Sequence, residues 1–157
     1  GNHFACRMFN NCTNLTTLPN ALTFSQSIAA TGDDFAAEMF NNCSALTTVN
    51  NLKFPKVITD ELQPKNAFNN TFTACTALTG SIETIINGNK EPNTVRNTFT
   101  DCTQMSDYET YKETNWCSGK PVPPPTGQYF SFDIKTFLQI GYMRLLSYHF
   151  FYFYTLG

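Results

Sequence analysis

Six cysteines and two histidines carry most of the chemistry this chain could do, and their spacing decides what that chemistry is. Four of the cysteines fall in one repeated phrase, Phe-x-x-Cys-(Thr/Ser)-x-(Leu/Met). Its copies run from Phe9 to Leu15, Phe40 to Leu46, Phe72 to Leu78 and Phe99 to Met105, and Cys12, Cys43, Cys75 and Cys102 step by 31, 32 and 27 residues. Thiolate metal sites bring ligands together at short spacings such as Cys-x-x-Cys, with His or further Cys close by. Here the four cysteines are each more than 26 residues apart, and His3 and His149 sit at opposite ends of the chain, outside the phrase. No metal is expected. A Cys–His or Ser–His nucleophile needs its base and an orienting group within hydrogen-bond reach, and nothing in the sequence gathers such a set. Glu38, Glu83, Asp60, Glu61, Asp107 and Glu109 are scattered as on a solvated surface, and there is no Gly-rich phosphate loop. The chain therefore reads as a non-enzyme without a cofactor.

What the spacing does suggest is a stack. Recurrence every 27–32 residues is characteristic of small supersecondary units that bury their apolar faces on their neighbours. In such a stack Phe9, Phe40, Phe72 and Phe99 form one column, Cys12, Cys43, Cys75 and Cys102 a second, and Leu15, Leu46, Leu78 and Met105 a third. Six cysteines in a short secreted chain would otherwise suggest a disulfide framework. Stacked neighbours lie about 4.8 Å apart, however, whereas bridged cysteines need Cβ atoms about 3.8 Å apart in a particular mutual orientation. A row of free thiols, each packing as a small hydrophobe, is the better reading of the four. The state of Cys6 and Cys117 is left open.

Each repeat reads as a short helix followed by a short strand. In the second, Gly32-Asp33-Asp34 offers a helix start, and Phe35, Met39 and Cys43 recur at four-residue steps. Pro64 opens the third, with Phe68, Phe72 and Cys75 on one face; Pro92 opens the fourth, with Val95, Phe99 and Cys102; Ala5, Phe9 and Cys12 do the same in the first. Strand-prone runs follow at residues 15–18, 46–49 and 78–82, closed in the first two by Pro19-Asn20 and Asn50-Asn51. Further apolar patches lie at 21–24, 52–54 and 85–86. Strand alternation would turn the Leu residues inward and set Thr16, Thr17, Thr47, Thr48 and Thr79 on an exposed strand face, the best candidate for a binding surface. Thr is also simply strand-prone, and the two explanations stay open. The fourth run erodes after Met105, so the array is expected to end near Trp116. Asn11, Asn14, Asn42 and Asn69 each head a glycosylation sequon, but three of these recur at the helix-to-strand corner, where Asn amides and hydroxyls can satisfy backbone groups.

Three segments follow: a repeat array over 1–117, a Pro-rich linker over 118–127, and an aromatic tail over 128–157. Residues 137–156 have the length of a membrane span, but Gln139, Arg144 and His149 lie inside it. A membrane anchor and a poorly ordered or aberrant tail both stay open. Net charge is −2 with a pI of about 5.6, which gives no electrostatic footprint for nucleic acid. With no export signal in the chain, it is expected to be a piece of a longer protein whose signal lies upstream.

The phrase Phe-x-x-Cys-Thr-x-Leu-Thr-x-Leu-Pro at residues 9–19, and the Met-Phe-x-x-Cys versions at 8–18 and 39–49, resemble the BspA-like leucine-rich repeats. The resemblance covers residues 1–117 and departs at Thr71 and Thr98, which stand where Met8 and Met39 would recur. It implies an α/β fold, a leucine-rich-repeat-like solenoid of about four helix–strand repeats. It also implies a bacterial or protist cell-surface or secreted protein that adheres through a protein ligand, on host extracellular matrix or another microbial surface. The alternative is a structural spacer presenting another domain at the cell surface.

Overall fold

The backbone before each cysteine carries positive φ at nearly every second residue. These are His3, Ala5, Arg7 and Asn11 in the first copy, Asp34, Ala36, Glu38 and Asn42 in the second, and Asn66, Phe68, Asn70 and Ala74 in the third. Asn97 and Asp101 carry it in the fourth, and φ lies between 52 and 65° throughout. An α-helix needs φ near −63° at every residue, so none of these segments is helical. The N–H groups instead divide by turns. In the first copy, those of Cys6, Met8, Asn10 and Cys12 bond back to the carbonyls of His3, Ala5, Arg7 and Phe9. Those of His3, Arg7, Phe9 and Asn11 cross to Asp33, Ala37, Met39 and Asn41 of the next copy at 2.8, 2.9, 2.8 and 2.8 Å. Half the backbone is thus tied locally and half to the neighbouring copy. The result is a ribbon of consecutive turns stacked on the next ribbon.

The structure is a computed structural model and describes residues 2–26, 32–61 and 63–118. The chain divides into two units, Gly1–Val122 and Pro123–Gly157. The expected linker beyond residue 118 and the tail at 128–157 lie outside the described residues. The four stacked copies are called rungs here: 2–26, 32–61, 63–90 and 91–118.

The expected α/β solenoid of helix–strand repeats is corrected by this architecture. The described residues hold two short helices, α1 (Ile82–Ile86) and α2 (Tyr108–Tyr111), and no strand. Where strands were expected there is one isolated parallel bridge, Thr17 to Thr48. A parallel ladder needs evenly repeated cross-strand bonds. Here each junction supplies one N–H in this stretch: Thr47 to Thr16, Thr79 to Thr47, and Ser106 to Gly80, at 2.9, 2.9 and 2.8 Å. The third expected run, 78–82, leads instead into α1. Ser81 caps that helix by accepting from the Thr84 N–H, and Asn87, in the left-handed region, closes it. The Asp107 carboxylate accepts from Ser81 Oγ and from the N–H groups of Ile82 and Glu83 at 2.8, 2.8 and 3.0 Å, which fixes the fourth rung to the start of α1. Burial alone would raise that carboxyl, but the three donors hold it below the usual carboxylate range.

Asn and Asp tolerate left-handed backbone because their short polar side chains bond locally, while other L-residues lose roughly 1–2 kcal/mol there. The residue just before each repeat cysteine illustrates this: Asn11, Asn42, Ala74 and Asp101 all have positive φ. Ala74 alone lacks the tolerant side chain. Ala74→Asn should therefore raise stability by about 1 kcal/mol, read as a higher urea midpoint. A lower midpoint would contradict left-handed backbone at residue 74.

The core lies along the stack. Phe9, Phe40, Phe72 and Phe99 pack ring on ring with centroids 5.3, 5.3 and 5.5 Å apart and planes within 14° of parallel. Phe54 lies face to face with Phe68 at 3.8 Å, beside Phe72, Phe99 and Trp116. Buried Asn89 ties rungs two and three together: its Oδ1 accepts from the Val57 and Ile58 N–H groups, and its Nδ2 donates to the Pro55 and Ile86 carbonyls.

Candidate functional site

The cysteine column has a definite job in the stack. Cys43 Sγ donates to the Phe9 carbonyl at 3.1 Å, Cys75 Sγ to Phe40 at 3.2 Å, and Cys102 Sγ to Phe72 at 3.0 Å. Each thiol satisfies a carbonyl of the preceding rung, at the residue whose ring heads the phrase. All six cysteines are free; Cys43, Cys75, Cys102 and Cys117 are buried, Cys6 is half-buried and Cys12 exposed. Burial pushes the Cys75 and Cys117 thiols up to about 12 and raises Cys43 and Cys102 as well. A thiol held neutral is a donor rather than a nucleophile. Among the described residues no three His, Cys, Asp or Glu side chains gather around a position for a metal ion.

The third column lies alongside. Leu46, Leu78 and Met105 are buried and Leu15 is half-buried. Each sits at the end of the same turn, its N–H bonded to the carbonyl of the cysteine three residues earlier at 3.0–3.1 Å. The fourth copy therefore keeps the turn through Met105, and Ser106 takes the place of Thr in the next column.

The threonine row divides into two kinds of residue. Thr47 Oγ1 donates to the Thr16 carbonyl at 3.0 Å, and Thr79 Oγ1 to the Thr47 carbonyl at 2.9 Å. Ser106 Oγ does the same to Gly80 at 2.9 Å. Those hydroxyls join rungs while their residues remain exposed. Thr16 and Thr17 are exposed too, and half-buried Thr48 donates to Asn50 Oδ1 at 2.6 Å. The row thus lies on one edge of the stack as a series of corners rather than on a sheet face. Asn42 Nδ2 donates to Asn11 Oδ1 at 2.8 Å, so two of the sequon asparagines are part of the inter-rung bonding; Asn14 is exposed.

Charge is concentrated at the first junction. Arg7 reaches both oxygens of Glu38, with Nε and Nη2 each at 2.9 Å, and His3 Nδ1 lies 2.9 Å from Asp34 Oδ2. Residues outside the repeated phrase also matter here. Thr71 and Thr98, where Met would recur, are fully buried and donate to the carbonyls of Ala36 and Phe68 at 2.9 Å. Phe4 and Met8 of rung one are 54% and 56% exposed, although Met39 at the same place in rung two is 1% exposed. The signal for the first pair is the hydroxyl itself, and for the second the absence of a described neighbour on that side. No helix among the described residues is long and apolar enough to cross a membrane.

Compared with protein-family models, curated proteins and solved structures, the chain matches none of them.

Proposed function

We propose that the chain is a non-catalytic interaction module of a cell-surface or secreted protein, holding a protein ligand on host extracellular matrix or another microbial surface. One observation carries the reading: Thr16, Thr17, Thr47 and Thr79 stand exposed along one edge, in stretches (13–24, 44–52 and 76–82) without a single charged residue. An uncharged hydroxyl-and-methyl edge repeated from rung to rung suits a polypeptide partner better than nucleic acid. The resemblance of the phrase to BspA-like repeats supports the same reading. Neither argument depends on a sheet.

A second reading has its own support. Thr47 and Thr79 already use their hydroxyl protons within the stack, as expected of a spacer whose edge binds nothing. The full chain, immobilised and exposed to a panel of extracellular-matrix proteins, separates the two. Saturable binding to one of them, weakened at least tenfold by Thr17→Lys with the fold intact by circular dichroism, is the expected result. Absence of binding by folded chain across the panel overturns the module and favours the spacer.

A further inference from the structure

Rung three carries the one Asn-Gly pair in the sequence, Asn87-Gly88. In such a pair the glycine backbone nitrogen can attack the asparagine Cγ. The new N–Cγ bond closes a five-membered succinimide and the side-chain nitrogen leaves as ammonia. Water then opens the ring to aspartate or to β-linked isoaspartate. Glycine favours the attack because it has no Cβ to obstruct it. The folded backbone forbids the first bond. Asn87 lies in the left-handed region at φ 52° and ψ 43°, and this ψ turns the Gly88 nitrogen nearly anti to Cβ about the Cα–C bond. Ring closure needs the two on the same side. Hydrogen bonds hold the turn in its protected form. The Asn87 N–H reaches the Glu83 carbonyl at 3.2 Å, and its Nδ2 donates to Gln26 Oε1 and the Phe54 carbonyl at 2.8 and 2.9 Å. Lys56 Nζ donates to the Gly88 carbonyl at 2.9 Å. The turn itself requires the glycine: φ at Gly88 is 68°, and a Cβ there would meet Lys56 Nζ at 2.7 Å.

We propose that Asn87 is a deamidation site guarded by the fold: protected while its turn is closed, converted when the turn opens, and unable after conversion to restore the junction it made. The amide group that the reaction removes is the one that joins the rungs. From rung three, Nδ2 serves acceptors on rungs one and two, Gln26 and Phe54. A carboxylate in its place has no proton to donate and faces two oxygens. Gln26 cannot turn its own amide to compensate, because its Nε2 already donates to the Phe24 and Lys53 carbonyls, each at 3.0 Å. The isoaspartate product also routes the backbone through Cγ and lengthens it by one carbon. Two residues further on, Asn89 makes its buried bonds to Val57, Ile58, Pro55 and Ile86, which depend on the register of that turn. The rate of conversion follows the population of the opened turn. Each opening long enough for reaction is thus recorded covalently at residue 87. Nothing in this depends on the threonine edge or its ligand.

The test incubates the full chain under reducing conditions at neutral pH, both folded and in guanidinium, beside a synthetic peptide of residues 82–92. Conversion at residue 87 is followed by peptide mapping with mass spectrometry and an isoaspartate assay. The peptide and the unfolded chain should convert at a common rate, and the folded chain at least tenfold more slowly. Lys56→Ala frees the Gly88 carbonyl from an exposed position; it should raise the folded rate at least threefold and leave the unfolded rate unchanged. Asn87→Asp, which carries the charge of the product, should lower the urea midpoint. Asn93→Asp, the same change at an exposed position of rung four, should not. Folded and unfolded chains converting at one rate would overturn the proposal, and so would equal midpoints for Asn87→Asp and Asn93→Asp. An unchanged folded rate in Lys56→Ala would remove Lys56 from the guard.

Discussion

Phe54→Ala is expected to remove about 3–5 kcal/mol of folding stability, the range for deleting a fully buried phenylalanine. Phe54 is 0% exposed and meets a ring from each of the other three rungs. Phe24 of rung one lies 6.3 Å away, Phe68 and Phe72 of rung three 3.8 and 6.2 Å, and Phe99 and Trp116 of rung four 6.2 and 6.5 Å. Truncation would open a void bordered by all four rungs, and aromatic rings on rigidly bonded ribbons cannot all move in to fill it. Small domains are stable by about 5–15 kcal/mol, so this one change would remove roughly a fifth or more of the total. Phe40→Ala, between Phe9 and Phe72, belongs to the same class at about 3–5 kcal/mol. Phe4→Ala, more than half exposed, should cost less than about 1 kcal/mol. Urea unfolding of the three variants gives the comparison. A midpoint for Phe54→Ala no lower than that for Phe4→Ala would contradict a shared core centred on Phe54.

The side-chain columns were legible because a fixed repeat length brings like residues to like places whatever the backbone does. That holds for Phe9, Phe40, Phe72 and Phe99 and for the four cysteines that follow them. The backbone path between them was not. Four-residue steps such as Phe35, Met39 and Cys43 are produced by a helix, but equally by consecutive turns, and the apolar pattern is the same in both. What separates them is the tolerance of the intervening positions for positive φ. Asn11, Asn42, Asp101, Asn66, Asn70 and Asn97 all carry it, and in a helical interior that many asparagines would be poor choices. The threonines misled in a similar way. β-propensity suggested a strand at Thr47 and Thr79, yet both are placed where a hydroxyl proton can reach a carbonyl of the rung before, as are Thr71 and Thr98. Helix α1 was written at both ends, by Ser81 and by Asn87-Gly88, but its five residues were too few to show a period. The anchoring of α1 by Asp107, a residue of the next rung, depends on stacking register and has no local signature at all.

Stability should also collapse above pH 9, and the sign follows from the thiols. Burial raises Cys75 from 9.0 to about 12, Cys117 to about 12, and Cys102 in the same direction. Below pH 9 these groups are protonated whether the chain is folded or not, and their contribution is constant. Above it the unfolded chain releases protons that the folded chain retains, so unfolding becomes more favourable with each step in pH until the folded thiols themselves ionise. Each thiol contributes up to about 1.4 kcal/mol per pH unit, and the three together about 4. A domain stable by about 5–15 kcal/mol would then unfold within a few pH units of 9. Tyr111, raised by burial and then by its hydrogen bond to Glu83, acts in the same direction. The thiol share is isolated by substitution. Cys75→Ala and Cys102→Ala should each start from a lower stability at pH 8, because each loses a donor to the preceding rung and a packed side chain. Each should then lose stability less steeply between pH 9 and 11, by up to about 1.4 kcal/mol per unit. Urea midpoints measured under reducing conditions at half-unit intervals give both numbers. A slope that either substitution leaves unchanged would mean that these cysteines are not sequestered in the stack, and the carbonyl-capping column would fall with them.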